Sequence, residues 1–345
     1  MFDIGRKTQQ NNITSLELLK KTNAKNIRLK NDFITYLKSV GRSETTIKSY
    51  VNDLDIFFVF LLQNCDNKFF VDVTKKDIIF YQNWLLSENG NSPARIRRLK
   101  STLSSLSNYI ESICDEEFPN FKPIIKKVES PVGEPVREKT VLSEEQLEYL
   151  LTTLVEKKKY QKACAVALAA YSGARKSELV RFKVDYFTDD NIIYGSLYKT
   201  YEKIKTKGRG KGKFIEKFII VDKFKPYLDL WLKHRKELGI ESNWLFVTKN
   251  KDGVWNQTKS DTLNSWALTN SKILGLPFYF HSMRHFFTTF LHLSGLPDTV
   301  IKSIVGWNSI EMVSRYNDIS IDEELGQYFD ENGIKTTEKV GLSDL

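Results

Sequence analysis

The sequence is poor in cysteine, proline and glycine, and each shortage excludes a class of protein. Its three cysteines are scattered and form no C-x-x-C pair, so neither a disulfide framework nor a cysteine-based zinc site is expected. Eight prolines and 17 glycines among 345 residues exclude a fibrous or low-complexity chain. No apolar run approaches the roughly 18 residues that cross a bilayer, and the first residues lack a signal peptide's apolar core. We therefore expect a globular cytoplasmic protein without a membrane partner.

The composition that remains favours two compact domains and an anionic partner. Hydrophobic residues make up 41% and aromatic residues 12% of the chain, which is enough for sizeable cores. The length exceeds that of one average domain. Lysine and arginine number 52 against 43 acidic residues, a net charge of +9, so polyanions such as nucleic acids are the expected partners.

The first part of the chain has the apolar spacing of four amphipathic helices. The clearest spans Ser43 to Leu62, and another follows Ser92 and Pro93, with Ser43 as N-cap and Pro93 in the first turn. One face of the second helix begins with four basic residues. Such residues solubilise many helices, but here they sit at the positive end of the helix dipole, which favours an anion beside them. We predict that they contact DNA phosphates: Arg95, Arg97, Arg98 and Lys100.

The second part of the chain begins after a connector with three prolines and no hydrophobic period. Ser143 and Gln146 form a capping-box pattern, and Ala163 to Tyr171 is apolar on every side, as in a buried helix that ends at Gly173. Short strands are predicted over Ile192 to Leu197 and Phe214 to Val221, with helices after them. The fold is expected to be mainly α with a small β-hairpin or sheet. The predicted divisions are 1–25 (extension), 26–117 (first domain), 118–140 (linker), 141–330 (second domain) and 331–345 (acidic tail).

Four short segments of the second domain contain the residue types that metal-free phosphoryl transfer needs. A phosphodiester under attack gains negative charge, which two guanidiniums stabilise well, and Arg175 and Arg284 supply them. On a helix, His281 lies one turn from Arg284, so an imidazole and a guanidinium can face one phosphate. A tyrosine oxygen forms a phosphoester that is more readily reversed than that of serine, which favours Tyr316 as nucleophile.

In order and spacing, these segments resemble the tyrosine recombinase, or phage-type integrase, family. Gly173 to Leu179 matches the pattern G-x-R-x-S-E-L, and His281 to His285 matches H-x-L-R-H with Met283 in place of leucine. Val305 to Trp307 matches L-G-[HW] apart from its first position, and Tyr316 follows that tryptophan by nine positions, as in the family. The resemblance implies a helical, SAM-like core-binding domain followed by a tyrosine-recombinase catalytic domain.

The resemblance also implies the reaction, a site-specific recombination or integration of DNA through a 3′-phosphotyrosyl intermediate. No cofactor or metal is expected, and the origin would be a prokaryotic cell, phage or other mobile element. Glu178 would orient Arg175, and Ile319 to Phe329 would dock on a neighbouring copy in a homodimer or tetramer on double-stranded DNA. The catalytic residues implied are Arg175, Lys207, His281, Arg284, Trp307 and Tyr316, with His285 accessory.

The basic hairpin between Lys199 and Lys217 leaves the identity of the catalytic lysine open. We favour Lys207, with Lys205 and Lys211 as the other candidates. Glycines in the same loop let the backbone approach DNA closely, and we predict DNA contacts by Arg209 and Lys211.

Three other interpretations compete with a recombinase. A DNA-binding regulator, such as a repressor, would keep the recombinase fold without its activity and would not need Tyr316. A type IB topoisomerase shares the chemistry, but the helical core-binding domain argues against it. Zinc at His281 and His285 lacks a third ligand, and Arg284 would repel the cation.

Overall fold

A computed structural model describes residues 13–132, 141–206, 212–316, 329–330 and 333–334. It is mainly helical with small antiparallel sheets, which confirms the predicted fold class. Residues 13–132 belong to one compact unit, and 141–206 and 213–316 belong to a second. Within the described ranges, no helix combines the length and apolar character that spanning a membrane requires.

The first unit is a bundle of helices around an aromatic core. Ser43 caps the third helix through its hydroxyl and Pro93 lies in the first turn of the fifth, as the sequence predicts, and Ser92 caps that fifth helix. The first, short helix lies in the segment predicted as an extension. Phe57, Phe60 and Tyr81 pack ring against ring in the core. The helices are α1 (Leu16–Lys21), α2 (Ala24–Ser39), α3 (Glu44–Asn64), α4 (Lys75–Asn83), which continues as a π-helical turn (Trp84–Glu88), and α5 (Pro93–Ile113).

The start of the predicted connector is packed onto this unit. Ile125 and Val128 are buried in its core, so the first unit extends at least to Val128. Lys100 is only 4% exposed, and its ammonium donates hydrogen bonds to the carbonyls of Val128, at 2.7 Å, and Glu129, at 3.3 Å. The prediction that Lys100 contacts DNA is therefore wrong, because its ammonium faces the connector.

The second unit surrounds one buried helix, as the small apolar residues of Ala163 to Tyr171 predict. Ser143 and Gln146 form the expected capping box on the preceding helix. The helices are α6 (Glu144–Glu156), α7 (Tyr160–Ser172), α8 (Lys176–Leu179), α9 (Val221–Glu237), α10 (Thr262–Leu274), α11 (Ser282–Leu293), α12 (Asp298–Val305) and α13 (Glu311–Tyr316). The strands are β1 (Ile192–Ile193), β2 (Leu197–Lys199), β3 (Ile204–Thr206), β4 (Lys213–Ile215), β5 (Phe218–Ile220), β6 (Val247–Lys249), β7 (Trp255–Gln257), β8 (Phe329–Asp330) and β9 (Gly333–Ile334). Helix α7 packs against α6, α9 and α11.

The strand predictions are only partly correct. Phe214 to Val221 is not one strand, because β4 pairs with β3 while β5 pairs with β2 in a separate sheet. The change of partner occurs at Lys217, whose N–H donates to the Thr200 hydroxyl at 3.0 Å and whose carbonyl accepts from the Thr200 N–H at 3.0 Å. Ile192 to Leu197 likewise divides into β1 and the start of β2. The hairpin of β6 and β7 was not predicted.

Candidate active site

The first arginine of the site follows shortly after helix α7. The helix ends at Gly173, whose φ of +57° is left-handed and whose Cα leaves no room for a Cβ, since that atom would lie 2.6 Å from Phe287 Cδ1. Two residues later, the Arg175 guanidinium is 28% exposed and donates from Nη1 to Glu178 Oε1 at 2.8 Å and to the Thr206 hydroxyl at 3.0 Å. Among the residues that the structure describes, its Nε and Nη2 donate to no other group, so they can serve an anion.

Glu178 is a fully buried carboxylate that four groups contact. Oε2 accepts the Arg175 backbone N–H at 3.0 Å and lies 2.7 Å from Lys217 Nζ, while Oε1 accepts from the Arg175 guanidinium and the Thr206 hydroxyl. Burial by itself raises the pKa of this carboxyl, but Lys217, Thr206 and the Arg175 N–H outweigh it and lower the pKa to about 2. Glu178 is therefore an ionised anchor for Arg175, the role that the family resemblance implies.

Lys217 is the charged neighbour of this anchor that the sequence analysis missed. The side chain is fully buried at the junction of β4 and β5. Burial lowers the pKa of its ammonium to about 8; the ion pair with Glu178 opposes this effect, whereas Arg284 and Arg175 add to it. A lysine between Glu216 and Phe218 has the spacing of an ordinary exposed strand residue, so the sequence carries no signal for its burial.

Arg284 is the second arginine of the site and is fully buried. Its Nη1 donates to the Gly173 carbonyl at 2.8 Å and its Nη2 to the Val305 carbonyl at 3.0 Å, so it connects the ends of α7 and α12. The guanidinium carbon lies 5.0 Å from the centroid of the Trp307 ring, a cation–π contact. One side chain thus connects the segment before Arg175 to the segment that carries Trp307.

The two histidines flank this arginine at the start of α11. The His281 and His285 rings are 5.9 Å apart, edge to face. Desolvation of its ring lowers the pKa of His281, and His285, Arg284 and Arg175 add to the effect, so the neutral imidazole is favoured near pH 7. In the described part of the chain, no group of three or more histidine, cysteine, aspartate or glutamate side chains is arranged to hold a metal ion.

The hairpin of β3 and β4 reaches the segment that follows α12. Lys213 Nζ lies 2.6 Å from Asn308 Oδ1, and Ile215 packs so closely on Gly306 that a Cβ there would lie 2.5 Å from Ile215 Cδ1. Gly306 has a φ of +78°, and the helix that follows carries the backbone of Tyr316 at its last position.

Several predicted residues lie outside the described part of the chain. The hairpin tip with Lys207, Arg209 and Lys211 is among them, as are the side chain of Tyr316 and most of the predicted docking segment Ile319 to Phe329. Lys205 is described and exposed on β3.

Two of the three predicted DNA-contacting arginines of α5 bind a buried aspartate. Asp53 of α3 accepts hydrogen bonds from Arg95 Nη1 at 3.2 Å, Arg98 Nη2 at 2.9 Å and the Thr102 hydroxyl at 2.8 Å. Arg97 and Arg98 are exposed. One carboxylate thus fixes two guanidiniums at the start of α5, with part of each accessible.

The second unit therefore gathers two arginines, a buried lysine, a neutral histidine and an indole around one position. Guanidiniums stabilise the charge that builds on a phosphate during in-line attack, and imidazole and indole N–H groups donate to its oxygens. The arrangement suits transfer of a phosphoryl group by a side-chain nucleophile.

Comparison with known proteins connects this arrangement to a family. Residues 140–323 match the phage integrase family, and residues 29–119 match the phage integrase N-terminal SAM-like domain. The SPbeta prophage-derived recombinase-like protein YomM of Bacillus subtilis is 28% identical over 62% of this chain and 63% of its own length, so the match spans less than two thirds of that relative. Tyrosine recombinase XerC of Caldanaerobacter subterraneus is 22% identical over 88% of this chain and 86% of the XerC length.

A solved structure of a lambda integrase tetramer bound to a Holliday junction shares the fold. Its sequence is 17% identical to this chain. The match covers 88% of this chain and 81% of the lambda integrase chain, with a TM-score of 0.63.

Proposed function

This chain belongs to the phage integrase family, and we propose that it is a site-specific DNA recombinase or integrase of a mobile element. One observation carries the proposal: Arg284 contacts the Gly173 carbonyl, two residues before Arg175, and the Trp307 ring, and both arginines lower the pKa of His281. The alternative function, a regulator with an idle site, does not require these residues to lie together.

The reaction would be a transfer of one phosphodiester between two oxygens. The Tyr316 hydroxyl passes its proton to water and its oxygen attacks phosphorus, so that a 3′-phosphotyrosyl bond forms as the bond to the 5′-oxygen breaks. That oxygen leaves with a proton, and we propose Lys207 as the general acid that donates it. Arg175 and Arg284 stabilise the charge on the non-bridging oxygens, and His281 and Trp307 donate to them. Attack by the 5′-hydroxyl of another strand reverses the step and releases Tyr316.

DNA would be held by both units. We propose that the first unit, which extends beyond the predicted bounds 26–117, is a core-binding domain that contacts phosphates through Arg95, Arg97 and Arg98, and that 141–330 form the catalytic domain. Arg209 and Lys211 would add contacts from the hairpin. We further propose a homodimer or tetramer on DNA, joined through the C-terminal segment, since the lambda integrase structure is a tetramer on a Holliday junction. The site of action would be the cytoplasm of a prokaryotic cell.

A suicide DNA substrate, nicked beside the cleavage point so that the released fragment diffuses away, tests the proposal. The target sequence is first recovered by selecting bound fragments from a random library. We expect the wild-type protein to form a covalent adduct that survives SDS, and Tyr316→Phe to form none while its Kd for DNA changes less than about twofold.

Tyr194→Phe is the control, because Tyr194 is an exposed tyrosine of the same unit and should leave the adduct unchanged. Tight binding by the wild-type protein without any adduct would favour the regulator. An adduct that persists in Tyr316→Phe would assign the nucleophile to another residue.

A further inference from the structure

The carboxylate that orients Arg175 is itself held by two residues to which the family patterns give no role. Lys217 lies 2.7 Å from Glu178 Oε2, and the Thr206 hydroxyl donates to Glu178 Oε1. Both side chains are buried, whereas the guanidinium of Arg175 is partly exposed. The contacts therefore run inward from the exposed guanidinium, through the carboxylate, to two groups that solvent does not reach.

Lys217 cannot serve as the acid that protonates the leaving oxygen. Its ammonium is paired with the buried Glu178 carboxylate at 2.7 Å, and giving up its proton would leave that carboxylate without its cation. Its backbone is also fixed, since it exchanges two hydrogen bonds of 3.0 Å with Thr200. Any effect on the reaction must pass through Glu178.

The charge of Lys217 determines what Glu178 can do. Burial raises the pKa of the Glu178 carboxyl, and the ion pair with Lys217 is the largest influence that lowers it. Without Lys217, a buried carboxylate keeps only the hydrogen bonds of Arg175 and Thr206. It then either takes up a proton, which weakens its hold on Arg175, or draws the guanidinium inward, away from the phosphate.

Thr206 fixes the second oxygen of the carboxylate and also contacts the guanidinium. Its hydroxyl accepts a hydrogen bond from Arg175 Nη1 at 3.0 Å and donates to Glu178. Thr206 ends β3 and directly precedes Lys207, the lysine that we propose as general acid. The hydroxyl therefore joins the base of the lysine hairpin to the arginine that binds the phosphate.

We propose that Lys217 and Thr206 are positioning residues that hold the Glu178 carboxylate in place and thereby aim the Arg175 guanidinium at the scissile phosphate. This proposal rests on the proposed function, because its readout is the rate of DNA cleavage.

The test measures single-turnover cleavage of the suicide substrate at saturating protein, together with the Kd for DNA and the thermal unfolding midpoint. We expect Lys217→Met to slow cleavage on the order of a hundredfold and Thr206→Val about tenfold, as for the loss of a charged and a neutral hydrogen bond. The Kd should change less than about twofold. Lys199→Met is the matched control, since Lys199 is a partly exposed lysine of the neighbouring strand β2 whose ion pair with Glu216, at 3.3 Å, lies at the surface.

A double-mutant cycle separates positioning from general stabilisation. If Lys217 acts through Glu178, then Lys217→Met combined with Glu178→Gln will cleave no more slowly than the slower single variant. The double variant removes both charges of the buried ion pair together, so it can be measured even where Lys217→Met alone does not fold. A fold-loss in the double variant equal to the product of the two single fold-losses would contradict the proposal.

Thr206→Val keeps the shape of the side chain and removes only the hydroxyl, so it provides a test that does not depend on the lysine variants. Wild-type cleavage by Thr206→Val, or by a folded Lys217→Met, would overturn the proposal. Absence of any adduct in the wild-type protein would instead overturn the proposed function, so the two failures are distinguishable.

Discussion

Glu178 is a buried charge whose two oxygens are both engaged by polar or charged groups. An unpaired buried carboxylate destabilises a fold, and this one is retained with a cation on one oxygen and a guanidinium and a hydroxyl on the other. Its benefit is geometric, because a planar guanidinium held by one nitrogen keeps its other donors at a fixed orientation.

The lowered pKa of Glu178 predicts a specific acid sensitivity. The pKa falls from an ordinary value of 4.5 to about 2 in the folded protein, so the unfolded chain binds this proton first as the pH drops. The contribution to stability is complete above pH 4.5 and disappears as the pH falls towards 2, and it amounts to roughly 3 kcal/mol. Glu178→Gln should lack this part of the pH dependence.

Urea unfolding at several pH values, followed by tryptophan fluorescence, measures this effect. All tryptophans except Trp84 lie in the second unit, so the signal reports mainly on the unit that contains Glu178. Parallel pH profiles of stability for the wild-type protein and Glu178→Gln would contradict the prediction.

At the residue scale, the sequence predicts the site residues that belong to a spaced motif. It misses residues whose role depends only on their being buried. Arg175, Arg284, His281 and Trp307 stand in such motifs, and the structure brings them together. Lys217 has no such motif, because nothing in its neighbours distinguishes a buried lysine from an exposed one. Lys100 was misplaced for the same reason, since helix periodicity does not reveal that a connector covers it.

At the scale of elements, the site is assembled where helices end. Helices α7 and α12 both end at glycines in the left-handed conformation, Gly173 and Gly306. Arg284 donates to a carbonyl at each of these ends, where the negative end of the helix dipole favours a cation. The position of the site thus depends on the backbone conformation of two glycines.

Gly173→Ala tests this dependence. Alanine in the left-handed region costs about 1–2 kcal/mol, and the new Cβ would also meet the Phe287 ring. We expect the variant to lose stability and to slow cleavage, because Arg175 follows two residues later. Thermal unfolding and single-turnover cleavage measure the two effects.

Gly295→Ala is the control for Gly173→Ala. Gly295 has a φ of +78° but open space around its Cα, so the variant should lose only the conformational contribution and retain cleavage. Equal losses of stability in the two variants would mean that the contact with Phe287 has no effect.

Helices were predicted more accurately than strands, for a physical reason. Each helix carries its own apolar period and cap, so the start of α3 at Ser43 is visible in a local window. The strands have two or three residues, and their pairing is decided by distant partners. The division of Phe214 to Val221 between two sheets depends on Thr200, which no local pattern connects to Lys217.

At the scale of the whole molecule, the net charge of +9 predicts binding to DNA that weakens strongly with salt. Each phosphate that a cation neutralises adds about 0.9 to the slope of log K against log salt concentration. Arg97→Ala removes an exposed guanidinium of α5. It should reduce the magnitude of that slope by about 0.9, the contribution of one phosphate contact. Fluorescence anisotropy with labelled duplex at several salt concentrations measures it.

Lys100→Met is the matched control for the salt experiment, because Lys100 is a basic residue of the same helix whose ammonium binds carbonyls. It should leave the slope unchanged. A slope that falls equally in both variants would return Lys100 to the DNA-contacting surface.

The two arginines of the site should behave differently inside a cell. Arg284 joins two helix ends from a fully buried position, so replacing it exposes the chain to proteolysis and lowers the amount of protein that accumulates. Arg175 is held at the edge of the same network, and its loss leaves those helix ends joined. A catalytically silent protein that still accumulates, suited to trapping the assembled complex, is therefore better obtained by changing Arg175 than Arg284.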